Sequence, residues 1–195
     1  MNDKAAHDNL DYTQNDNRCI DHLTSGLPRW FITTAFIIMV VAAIFTITSL
    51  DSWGKENAPL AIAIINTVGM LIMYYAAMRG MKRLYRPLTA LWIIVLALNI
   101  IGFFAIFFET ALPEASFITA CALPLAYLPL GTLITIWYRG RMQQVGIWMI
   151  VRILVDFFLP IAWYMLGIGL NDIFLDSIIV VTELIYAWQF YRLLR

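Results

Sequence analysis

Apolar residues in this chain come in long unbroken runs. Six can be marked: Trp30–Leu50, Pro59–Met78, Leu88–Phe108, Ser116–Trp137, Val145–Gly169 and Ile173–Tyr191. None alternates apolar and polar positions over about ten residues, as a membrane barrel strand would. Each is close to the ~20 residues that a helix rising ~1.5 Å per residue needs to cross hydrocarbon. The pattern therefore predicts an all-α, polytopic membrane protein. Its six transmembrane helices would form three antiparallel hairpins in one bundle over residues 28–195.

Residues 1–27 have a different character. Asp3, Asp8, Asp11, Asp16 and Asp21 stand among Asn, Gln and Thr. Such a segment has little apolar area to offset chain entropy and is predicted to be a disordered cytoplasmic tail. It lacks the basic start and immediate apolar core of a secretory signal, so the first run reads as a retained anchor.

The polar connections are short and alternate in charge. Asp51–Ala58, Glu109–Ala115 and Leu170–Asp172 are acidic or nearly so, whereas RGMKRLYRP at 79–87 and YRGRMQQ at 138–144 are basic. Lys and Arg are retained on the cytoplasmic side of a membrane. That rule puts the basic connections and both termini inside, in a plasma or inner membrane, with only Lys55 outside. Tyr-Arg recurs at 85–86, 138–139 and 191–192. An aromatic belt beside retained positive charge accounts for it without an internal repeat.

Composition agrees with a lipid solvent. The chain of 195 residues is 62% hydrophobic and 13% charged, against roughly 45–50% and 25% in soluble domains. The formal net charge of zero and the absence of a basic, aromatic-laced domain argue against nucleic-acid binding. Cys19 and Cys121 fall in different environments, so no disulfide is expected. Cys19 and His22 are too few for a metal site, and no cofactor motif is present.

The candidate chemistry lies in the last two runs. Arg152 and Asp156 are four residues apart and share a helix face. Pro160 cannot donate to the carbonyl of Asp156, so the helix should bend there. Counting back from the turn near Asn171 sets Glu183 at the depth of Asp156, with Arg152 about one turn nearer the inner face. Ionisable groups at membrane depth are costly and ask for partners. Arg152, Asp156 and Glu183 are therefore the candidate polar cluster. Two carboxylates facing one guanidinium leave a surplus negative charge to be met by a proton, a cation or water. The same cluster could equally fasten two helices and fix their register.

Pro124, Pro129 and Pro160 are candidate kink positions. Asn66 and Asn99 are expected to hydrogen-bond between helices, and Asp176 to be solvated at the outer end. Arg79, Lys82, Arg83 and Arg86 are candidate contacts for anionic lipid head groups, although topology alone would put charge there. No hydrolase, metalloprotease or phosphate-loop motif appears. The expected function is that of a small non-enzymatic membrane protein acting through lipid, a membrane partner or its own oligomer. The alternative is a small-solute or ion transporter centred on the charge cluster. A third reading, an acid-only intramembrane hydrolase, has no flanking motif behind it.

Overall fold

A computed structural model describes residues 19–49, 58–81, 86–107, 113–165 and 172–195. The described chain is all-helical. Helix α1 spans Arg29–Ser49, α2 Ala58–Met81, α3 Arg86–Phe107 and α4 Pro113–Trp137. Helix α5 is one rod in three segments: α-helix over Arg141–Ile153, a π-helical turn over Leu154–Phe158, and α-helix again over Leu159–Met165. Helix α6 spans Asp172–Leu194. Among the described residues, one helical stretch, Arg141–Ala162, is long and apolar enough to cross a membrane. Arg29–Phe45, Leu88–Gly102 and Cys121–Trp137 are shorter apolar stretches.

Each helix packs against the next in the chain, and α6 returns to touch both α1 and α2. Helices α2 to α6 thus close a ring, with α1 laid against α2 and α6. Neighbours α4 and α5 approach closely because glycines face each other. A Cβ on Gly146 would stand 2.9 Å from the carbonyl oxygen of Gly131. The Gln143 side chain also donates to the carbonyl of Thr135 at 3.1 Å. Helices α5 and α6 run antiparallel, since Arg141 donates to the Arg192 carbonyl at 2.8 Å while Arg152 meets Glu183 further along.

The ring interior is aromatic and buried. Trp92, Tyr74, Tyr186 and Phe190 are fully buried, with Met39, Met73, Leu130 and Met149 around them. The Trp92 indole donates to the Tyr74 carbonyl at 3.0 Å, which satisfies its one polar atom. Phe190 meets both Tyr74 and Trp92 edge to face. The outer faces are apolar as well. Leu125 is 74% exposed and Met165 79% exposed, and Ile93, Ile101 and Phe104 also point outward.

The helix-free segment ahead of α1 differs from the tail expected over residues 1–27. Residues 1–18 lie outside the described residues, but the chain from Cys19 onward is docked across the basic end of the bundle. Ile20 donates to the Arg139 carbonyl at 3.2 Å and accepts from the Met142 amide at 3.0 Å. Leu23 donates to the Leu193 carbonyl at 2.8 Å and is buried. Asp21 accepts from the Arg141 amide at 3.0 Å, satisfying one of the orphan donors at the start of α5. The residue before that helix, Gly140, has φ 71 and no side chain to cap with, so the strap supplies the cap. Average composition hid this docking, because two well-placed apolar residues and a few hydrogen bonds hold the segment.

Candidate functional site

The site grows from the irregular turn of α5. Pro160 has no N–H, so the carbonyl of Asp156 loses its ordinary helical donor. The helix widens in the turn ahead of it, and Leu159 donates to Leu154 five residues back. A π turn inserts one extra residue and re-aims the side chains beyond it, a device frequent at functional sites. Asp156 lies inside that turn, while Arg152 sits just before it on regular helix.

Arg152 is the hub. Its Nε donates to Asp156 Oδ2 at 3.0 Å, and its Nη2 donates to Glu183 Oε1 at 2.9 Å. Its Nη1 donates to the Tyr74 hydroxyl at 2.9 Å. Tyr74 in turn donates to the Tyr186 hydroxyl at 3.1 Å. The guanidinium carbon lies 5.4 Å from the centre of the Tyr186 ring and 6.0 Å from that of Tyr127. The Tyr127 hydroxyl is fixed from behind by Asn99, whose amide donates to it at 2.8 Å and to the Val95 carbonyl at 2.7 Å. Helices α2 to α6 therefore each contribute a side chain.

The cluster is not sealed. Side-chain exposure is 17% for Arg152, 25% for Asp156 and 22% for Glu183. Yet Asp156 Oδ1 is itself buried and has no hydrogen-bond partner among the described residues. An unsatisfied buried acceptor on a carboxylate is costly and marks the place where a further donor would be welcome. Among the described residues, two carboxylates pair with one guanidinium here, a surplus negative charge when all are ionised.

The three charged residues singled out in the sequence are thus brought together. The tyrosines that surround them carry no charge signal and escaped the sequence reading. Two cues existed. Tyr127 stands in the middle of an apolar run, away from the ends where a belt would put it, and Tyr186 follows Glu183 by three residues on the same face. Asn99 bridges α3 to α4 through Tyr127, while the side chains of Asn66 and Asp176 lie outside the described residues.

The other candidates fall elsewhere. Pro124 is buried and Pro129 exposed within α4, which remains α-helical through both. Of the three candidate kink positions, Pro160 is the one that follows an irregular π turn. Arg79 is exposed beside Gly26 at the basic end. Lys82 and Arg83 lie outside the described residues, as does the side chain of Arg86. Cys19 and His22 are exposed on the strap, where the Cys19 thiol points at Asp21 at 3.9 Å. No family model, curated protein or solved structure matches the chain.

Proposed function

We propose that the protein is a six-span helical membrane protein with both termini on the cytoplasmic side. It is non-enzymatic and acts through membrane partners, lipid or self-association. The outward apolar side chains on every helix support a lipid surround, since a soluble bundle this small would expose them at high cost. The alternating charge of the connections supports the orientation. The observation that carries the non-enzymatic reading is that the charged side chains engage one another. Arg152 engages Asp156, Glu183 and Tyr74, so it ties α5, α6 and α2 at the centre of the ring.

Topology is read by single cysteines in a variant lacking Cys19 and Cys121. Cysteines placed at 51–58 or 109–115 label from outside intact cells, and those at 79–87 or 138–144 only after permeabilisation. Consecutive connections that label from the same side refute the six-span arrangement, and a wholly reversed pattern refutes the orientation. Native mass spectrometry from detergent reads partner use: retained lipid or a second copy supports it, and a bare monomer refutes it.

A second reading, a transporter for small cations, is favoured by one specific observation. The bare oxygen, Asp156 Oδ1, lies in a π turn and belongs to one of the two carboxylates that share Arg152. Flux of protons, sodium or organic cations through reconstituted wild-type protein tests it. Vesicles tight to all three refute it.

A further inference from the structure

We infer that the carboxylate–tyrosine box at the ring centre is a receptor for a guanidinium-type organic cation, with Arg152 as its tethered occupant. The inference rests on the second reading above, in which the cluster handles cations.

The box already displays its ligand chemistry. A guanidinium sits in it with three N–H groups received in three directions, by Asp156 Oδ2, the Tyr74 hydroxyl and Glu183 Oε1. Two tyrosine rings face the same carbon at 5.4 and 6.0 Å. A planar fork of donors is what distinguishes guanidinium from ammonium, and ring faces add attraction for a cation shed of water. The receiving groups come from α2, α4, α5 and α6, so the box is built by the fold and not by one helix.

A plain fastener does not call for this arrangement. One carboxylate neutralises one guanidinium, and the second leaves a surplus charge. That surplus sits with a buried carboxylate oxygen, Asp156 Oδ1, that has no partner among the described residues. A free cation with N–H donors answers both needs. It satisfies Oδ1 and balances the charge, either beside Arg152 or in its place as the Arg152 side chain turns away. The π turn around Asp156 puts the irregular part of α5 at the point where such an exchange would require adjustment. Tetramethylammonium fits the rings but has no N–H to give, so it is the discriminating control.

The probe is methylguanidinium. Full-length Arg152→Ala in detergent, shown folded by its helical circular dichroism, is expected to gain about 3–6 °C in Tm with saturating methylguanidinium. Tetramethylammonium or sodium at equal ionic strength should give no gain. A folded Arg152→Ala that does not respond overturns the inference. Where Arg152→Ala cannot be isolated, wild-type protein decides. Saturable methylguanidinium binding that falls at least tenfold in Glu183→Gln supports the box, and no saturable binding overturns it. Vesicle flux separates the two levels. Passage of protons or sodium without methylguanidinium overturns the assignment of ligand class and leaves the transport reading standing. Vesicles tight to every cation overturn the transport reading, and with it the inference.

Discussion

Replacing Arg152 with methionine probes the cluster most directly. Methionine keeps much of the length and apolar stem but removes all three donors, those to Asp156, Glu183 and Tyr74. It leaves two carboxylates facing each other with no cation. Removing one partner of a buried ion pair costs about 3–5 kcal/mol, chiefly because the other charge is stranded. Partial exposure of the three side chains, 17% to 25%, pulls the figure toward the lower end. We expect Arg152→Met to cost about 3 kcal/mol. Most of that loss should return when the stranded charges are removed. The triple variant Arg152→Met, Asp156→Leu, Glu183→Met is expected within about 1 kcal/mol of wild type, since an apolar replacement of a whole buried ion cluster is often neutral. Equilibrium unfolding in mixed detergent, followed by circular dichroism, measures each variant, and the double variant Asp156→Leu, Glu183→Met supplies the fourth corner of a mutant cycle. A loss below about 1 kcal/mol for Arg152→Met, or strictly additive effects across the cycle, would refute the reasoning.

The packing leads to three more expected outcomes. Gly146→Ala pushes a methyl to 2.7 Å from Thr135 Oγ1 and 2.9 Å from the Gly131 carbonyl oxygen. Because that carbonyl cannot give way without parting α4 from α5, a loss of about 2–3 kcal/mol is expected in the same unfolding assay. Asp21→Ala removes the acceptor for the Arg141 amide, so the start of α5 should lose about 1 kcal/mol. Hydrogen exchange at Arg141 should quicken accordingly, and unchanged exchange would show that the strap does not cap α5. Tyr74→Phe takes away both an acceptor for Arg152 and a donor to Tyr186, whereas Tyr186→Phe takes away only the acceptor for Tyr74. The first should cost about 1–3 kcal/mol and the second about 1. Equal costs would mean that the Arg152–Tyr74 bond contributes nothing.

What could be read from residue order was whatever depends on local spacing. Four residues between Arg152 and Asp156 put them on one helix face, and the short turn near Asn171 let depth be counted across to Glu183. Pro160 announced trouble in the turn ahead of it, although not that the helix would answer with a π turn. Pro124 and Pro129 obey the same rule, yet α4 stays α-helical through both. A missing donor says that a carbonyl is freed, but packing against neighbouring helices decides whether the helix opens. The docked strap was illegible for a related reason. Its composition is that of a tail, and only the shapes met by Ile20 and Leu23 make it structure.

By itself, then, the sequence determined that the chain is helical. Long apolar runs without polar breaks must satisfy their backbone groups within each segment. It also determined that two acids share a level in the last two helices, with a cation about one turn away, because pitch and turn length are local quantities. Only the tertiary structure decided what surrounds that cation. Tyr74, Tyr127 and Tyr186 lie on three different helices, and Asn99 on a fourth. Their meeting around Arg152 depends on how the ring closes, through contacts between residues up to 112 positions apart in the chain. No spacing rule reaches that far, because uncharged tyrosines carry the same letters whether they face outward or a guanidinium.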